Sequence, residues 1–295
     1  MIINPYIFGA AFTGLLDTYS GASAAYSLRK LRSAYSGNCI RVRRSSDNTE
    51  QNIGFVNNVL DETSLTSFVG AGDGFVTTWY DQSGNSKDIT NSIGTGQPRI
   101  VSSGVIDKTL GKPTIYFGYN TATPRLSALE NASMGMNNAE VTTLSVANKL
   151  ASTGSNYTYS RIYSLRSTGN DYDNANSLTS FLAQASFGGF NPALGTYSQA
   201  AGVFLSYTYN NTILSWSQKS NTGTAKLYIA KNGGATSNSN TGGGNITATK
   251  LTLGGNNVGD SYLNGYISEF ILYPLDQTSN KTGIETNINT YYSIY

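Results

Sequence analysis

The chain has 295 residues, 39% of them apolar and 12% aromatic, enough for one large β domain with a sizeable core. Its 19 basic and 17 acidic side chains leave a net charge of +2, too balanced for nucleic-acid reading or polybasic membrane binding. Histidine is absent and Cys39 is the single cysteine, so Ser-His-Asp and Cys-His nucleophiles, His- or Cys-ligated metals and an intrachain disulfide are excluded, and no metal or cofactor is expected.

Residues 1–14 form an apolar arm interrupted by Pro5; without a basic n-region it does not read as a secretory signal. A single domain is expected over 15–295. No run approaches the roughly 18 apolar residues that span a bilayer, so membrane insertion is not expected. Ala22 to Leu31 offers a short helix weakened by Ser and Gly. Cys39 to Arg43, the polar turn Ser45 to Asn48 and Gln51 to Phe55 read as a hairpin. Asp61 to Val69 opens on a capping acid and stops at Gly70, which predicts a two-turn helix. Gly74 to Tyr80, rich in β-branched and aromatic residues, predicts a strand that ends at Asp81.

Further strands are expected at Thr114 to Phe117, Val141 to Asn148, Arg161 to Leu165, Thr179 to Ala185 and Gly202 to Tyr209. Ile213 to Lys219 and Ala225 to Ala230 form the clearest pair. Asn232-Gly233 follows, a turn signal because both residues tolerate positive φ. With Leu251 to Leu253 and Tyr262 to Tyr273 the count reaches about a dozen strands. Gln277 to Tyr292 places Ile284, Ile288 and Tyr291 or Tyr292 on one stripe and predicts a terminal amphipathic helix. The expected fold class is all-β, an antiparallel β-sandwich with a few short helices, including a C-terminal one.

The densest polar cluster is Asp81-Gln82-Ser83-Gly84-Asn85-Ser86-Lys87-Asp88. Oxygen donors at Asp81, Ser83, Asn85 and Asp88 resemble half a calcium loop, but an Asx-type turn at a strand end is the favoured reading. Trp79, Tyr80, Asp81 and Asn85 are the candidate ligand contacts, although for Trp79, which follows Phe75 and Thr77 on one strand face, a place in the core is the favoured reading. Trp216 offers a second flat face, and the Tyr-rich segments around Tyr157, Tyr159, Tyr163, Tyr207 and Tyr209 offer a binding or interface surface. Paired carboxylates for glycoside hydrolysis are the one enzyme chemistry this composition makes easy. Candidate pairs are Asp81 with Asp88, Glu130 with Glu140, Asp171 with Asp173, and Asp260 with Glu269. Gly70-Ala71-Gly72-Asp73-Gly74 follows a helix and precedes a strand, the reverse of a dinucleotide fingerprint. Arg29, Lys30, Arg32, Arg41, Arg43 and Arg44 offer a basic face, or paired strands with solvated arginine ends.

Leu16 to Arg29, Ile40 to Phe55 and the string Phe75 to Asn85 together resemble a module of bacteriophage structural and fibre proteins. The Tyr80-Asp81-Gln82-Ser83-Gly84-Asn85 string is similar to the catalytic domain of the α-L-arabinofuranosidase B family. Leu263 to Tyr273, followed by the Ile284/Ile288 helix, resembles laminin-G-like, concanavalin A-like jelly rolls. The resemblance implies a concanavalin A-like sandwich. It carries no activity across: the glycosidase family builds its sugar pocket beside an adjacent cysteine pair, whereas Cys39 stands alone, and its nucleophile and acid match no particular carboxylates here.

The sequence reading is a non-enzymatic bacteriophage virion component, a fibre, spike or head-decoration subunit located in the virion and released by lysis. Its low charge and Tyr-, Asn- and Gly-rich surface suit contact with other virion proteins, with further copies of itself as a homo-oligomer, or with a host-surface glycan. No catalytic residues are expected. Two further readings stay open: an arabinofuranosidase-like glycoside hydrolase, and a capsid subunit without ligand. Ile2, Ile3, Tyr6, Ile7, Phe8 and Phe12 place the arm at an inter-subunit contact or against its own domain.

Overall fold

In the computed structural model, residues 11–118, 127–151, 159–167, 176–183, 193–198, 201–222, 224–240, 244–255 and 262–295 are described. Two antiparallel layers face each other. The front layer runs Ser237–Ser239, Leu227–Lys231, Ile213–Ser220, Glu140–Lys149 and Gly265–Tyr273. Along the far side of Gly265–Tyr273, Ala24–Ser27 and Ile115–Phe117 pair end to end.

The back layer starts with Ala201–Ser206, Ala193–Ser198, Leu178–Ala183, Tyr159–Arg166 and Lys250–Leu253. It continues through Leu129–Asn131, Ile89–Thr90, Gly74–Trp79, Ile40–Arg44 and Glu50–Ile53. Arg99–Ser102 pairs with Gly74–Trp79 and, through Tyr116, with Ile115–Phe117, so one side of the jelly-roll-like sandwich is nearly closed. The all-β antiparallel fold with short helices read from the sequence is the fold observed.

The core lies between the layers. Tyr163 of the back layer packs 5.1 Å from Phe270 of the front, and Tyr26 lies 6.0 Å from Trp79. Val76 and Trp79 are fully buried. Truncating such a Trp to Ala costs about 3–5 kcal/mol. A second apolar cluster covers the outer face of the front layer, where Leu144, Trp216 and Ile271 meet Leu15, Ile284, Ile288 and Tyr292. Because both faces of the front layer are covered, Glu140–Lys149 is buried at nine of its ten positions and loses the period-two pattern of a half-buried strand.

The helix Glu62–Val69 is capped by Asp61, whose carboxylate accepts from Ser64 N at 2.9 Å, and ends at Gly70 with φ +67°. The terminal helix is Lys281–Tyr292, preceded by a 3-10 turn over Thr278–Asn280. Arg29 ties it to the front layer through a bidentate pair with Glu269 at 2.8 and 3.0 Å and a bond to Asn287 at 2.9 Å. Asn232 and Gly233 take φ +51° and +72°, as their turn requires.

The helix expected over Ala22 to Leu31 is instead the strand Ala24–Ser27. It is buried at all four positions, with Tyr26 in the central core and Ala25 in the outer cluster, and that two-sided burial overrides the helical preference of Ala. Of the arm, residues 1–10 lie outside the described residues, as do Tyr157 and the loop carrying Asp171 and Asp173.

Candidate functional site

The residues singled out from the sequence gather at one turn, and each is committed to the scaffold. Trp79 is fully buried with its Nε1 unpaired. Tyr80 donates to Asn52 Oδ1 at 2.9 Å. Asp81, 5% exposed, accepts from Ala25 N and Ser83 N at 2.9 Å, Ser83 Oγ at 2.6 Å and Lys87 N at 3.0 Å. Asn85 Nδ2 donates to Ala22 O at 2.9 Å. Gln82, which the sequence reading did not single out, is fully buried and accepts from Leu31 N at 2.7 Å while donating to Ser27 O and Arg29 O. The turn thus pins the strand Ala24–Ser27 by side-chain bonds.

Asp88 Oδ1 accepts from Asp81 N at 2.8 Å. Burial, with the nearby Asp81 charge adding to it, pushes the Asp88 carboxyl above the ordinary aspartate value. The Asp81/Asp88 pair is therefore real in space, but both Asp81 oxygens are occupied by backbone and hydroxyl donors. Glu269 is occupied by Arg29. Glu130 on the back layer takes Thr252 Oγ1 at 2.9 Å and Arg166 at 3.2 Å, while Glu140 on the front layer takes Ser220 Oγ at 2.8 Å, so these two do not meet. Among the described residues no group of three or more Asp, Glu or Cys is placed to hold a metal.

A cleft of about 830 Å³ lies elsewhere, lined by Arg43, Glu50, Phe75, Gln97, Arg99 and Tyr116, among others. Pairing registers explain how these come together. Glu50 sits opposite Arg43, Arg43 opposite Phe75, Phe75 opposite Arg99, and Arg99 opposite Tyr116, so five strands contribute to one row on one face. The Arg43 guanidinium lies 4.9 Å from the Phe75 ring and the Arg99 guanidinium 4.8 Å from the Tyr116 ring. Each such contact contributes about 0.5–1 kcal/mol near the surface and holds the guanidinium plane fixed.

Arg43 donates to Gln97 Oε1 and Asn48 Oδ1, each at 2.7 Å, and Arg99 forms a bidentate pair with Asp107 at 2.9 and 3.1 Å. Glu50 accepts from Arg41 Nε at 2.5 Å. Aromatic faces beside fixed amide, guanidinium and carboxylate groups offer apolar contact and directional hydrogen bonds to a polyhydroxylated ligand. In the sequence Arg41, Arg43 and Arg44 stand out as a basic group. Arg41 and Arg44 are neutralised by Glu50 and Asp47, and only the alternation in Ile40-Arg41-Val42-Arg43 signalled an outward row. Trp216 is buried in the outer apolar cluster with Ile284, Ile288 and Tyr292 of the terminal helix. Phe75, Arg99 and Tyr116 were missed, because each becomes a site residue only through its neighbours on other strands.

Residues 17–114 match the family described as Alpha-L-arabinofuranosidase B, catalytic. No curated protein matches the chain. Among solved structures, a GH54 α-L-arabinofuranosidase soaked with a cyclic sulfate inhibitor superposes with TM-score 0.65 at 16% identity, covering 94% of this chain and 65% of that one. An arabinofuranosidase complexed with arabinofuranosyl-α-1,2-xylobiose gives TM-score 0.66 at 17% identity, with 94% and 64% covered. The chain thus spans 64–65% of the length of these structures, and at this identity the likeness shows the fold.

These findings correct the sequence reading. The virion, fibre, spike and capsid assignments are overturned, since the matches point to arabinofuranosidase catalytic domains. The expectation of a non-enzyme is corrected on the same ground. The physical reason is that a low-charge surface rich in Tyr, Asn and Gly serves any protein that handles glycans outside a cell, and composition does not distinguish a virion surface from a glycosidase surface.

Proposed function

We propose that the chain is a carbohydrate-active domain of arabinofuranosidase type, taking a glycan that bears α-L-arabinofuranosyl groups into the 830 Å³ cleft and hydrolysing its glycosidic bond. One observation carries the reading: Arg43, Glu50, Phe75 and Arg99, which build the cleft, all fall inside the matched segment 17–114. Phe75 and Tyr116 would contact the apolar faces of sugar rings, and Arg43, Asn48 and Gln97 would bond their hydroxyls.

Glycoside hydrolysis takes two carboxyl groups, about 5–5.5 Å apart for retention and about 6.5–9.5 Å for inversion. Glu50 is the one carboxylate among the described cleft residues, and we assign it as one of the two. The test is release of nitrophenol from 4-nitrophenyl α-L-arabinofuranoside. Glu50→Gln is expected to lower the rate about a hundredfold or more while leaving the fold intact. The proposal fails if the wild-type chain releases no nitrophenol, or if Glu50→Gln releases it at the wild-type rate.

A further inference from the structure

Arg43 is the one cation among the described cleft residues that no carboxylate neutralises. Arg99 is matched by its bidentate pair with Asp107. Glu50 sits opposite Arg43 in the register yet bonds Arg41, at 2.5 Å. Asp47, in the turn between those two strands, is held by Arg44 at 2.6 Å. The charges that line the cleft therefore leave one uncompensated positive group, the Arg43 guanidinium.

That guanidinium is held in place by neutral groups. Nε donates to Gln97 Oε1 and Nη1 to Asn48 Oδ1, each at 2.7 Å, and Nη2 donates to Gly94 O at 3.2 Å. The Phe75 ring lies 4.9 Å from Cζ. These three bonds leave one N–H on each Nη without an acceptor. Asn48 and Gly94, which the two Nη atoms bond, are exposed residues of the cleft wall, so both terminal nitrogens lie at its surface. A Cβ at position 94 would lie 3.7 Å from Nη2, and glycine there keeps the guanidinium uncovered.

A carboxylate presents two oxygens at the spacing of paired guanidinium N–H groups, and such charge-assisted bonds are about twice as strong as neutral ones. A hydroxyl would leave the positive charge unmatched. The Phe75 and Tyr116 rings beside Arg43 suit the apolar face of a sugar that carries the carboxylate, whereas a bare inorganic anion would leave both rings unused.

We infer that the cleft selects an acidic glycan, with Arg43 binding the carboxylate of a uronate residue. The inference rests on the carbohydrate reading of the cleft and makes a carboxylate, in place of a hydroxyl, the group that meets Arg43. Calorimetric titration of the full chain with trigalacturonate and with its methyl ester, which share their sugars and differ in charge, tests it. Trigalacturonate is expected to bind about tenfold more tightly than the ester, and to lose most of that advantage between about 0.05 M and about 0.5 M NaCl. Arg43→Gln is expected to bind acid and ester alike, and Arg43→Lys, which keeps the charge without the fork, to retain part of the preference.

A merely structural Arg43 would weaken acid and ester by the same factor. Should Arg43→Gln fail to fold, Arg43→Lys takes its place, and an undiminished preference there counts against the inference. Equal affinity of the wild-type chain for acid and ester, no binding of trigalacturonate, a preference that survives Arg43→Gln, or inorganic phosphate binding as tightly as trigalacturonate overturns it. Preference for the acid without nitrophenol release sinks the hydrolytic reading alone, and release with equal affinity for acid and ester sinks this inference alone.

Discussion

Asp81→Asn separates a scaffold turn from a ligand contact at the most conspicuous motif in the chain. The carboxylate takes four donors, Ala25 N and Ser83 N on Oδ1 and Ser83 Oγ and Lys87 N on Oδ2. An amide keeps one acceptor oxygen and turns an NH₂ toward the other side, so at least one backbone N–H faces a donor. One orphaned buried donor costs about 1–3 kcal/mol and a lost charge-assisted bond about 1.5–3, which for coupled groups at one turn gives about 3 kcal/mol in all.

At about 2 °C per kcal/mol for a chain of this size, the melting temperature should fall about 6 °C, read by circular dichroism. The Asp88 carboxyl should move back toward the ordinary aspartate value, since part of its upward shift comes from the Asp81 charge. Trigalacturonate binding at a temperature where both proteins are folded should be unchanged. A variant that melts with wild type but loses sugar binding would refute the reasoning and make Asp81 a ligand contact.

Gly265→Ala should be among the most damaging single changes in the front layer. A Cβ there would lie 2.0 Å from Asn148 O and 2.9 Å from Lys149 Cα, both backbone, so the strands must part; a loss of about 3 kcal/mol or more is expected in urea unfolding. Stability should rise from pH 7 to pH 9. Burial lowers the fully buried Lys149 to about 8, and burial with the Lys226 charge lowers Lys219 to about 8, from an ordinary 10.5. The unfolded chain therefore binds more protons than the folded one above pH 8, so stability climbs there. Above pH 9 the Cys39 thiol, pushed up by burial, works in the opposite sense. Lys149→Met should remove about half of the rise in urea midpoint, and a midpoint independent of pH would contradict the assignment.

Local chemistry determined much of this protein without reference to its tertiary structure. Asp61 and Gly70 bound a helix because one accepts from a first-turn N–H and the other takes positive φ. The β-branched and aromatic runs became strands, and Ile284, Ile288 and Tyr292 on one stripe became the buried face of the terminal helix. The missing histidines excluded whole classes of chemistry. Asp81 was legible as a turn residue because its partners lie within six positions, apart from Ala25.

Tertiary structure alone decided the rest. Ala24–Ser27 is a strand because it is covered on both faces, which no local pattern encodes. Glu269 is spent on Arg29, 240 positions away. The row from Glu50 through Phe75 to Tyr116 exists only in the observed register, across strands that are far apart in sequence. A slip of one residue in any of those strands would turn its member to the opposite face, because side chains alternate with period two. Pairing geometry between distant segments, which the order of residues does not display, is what assembles the cleft.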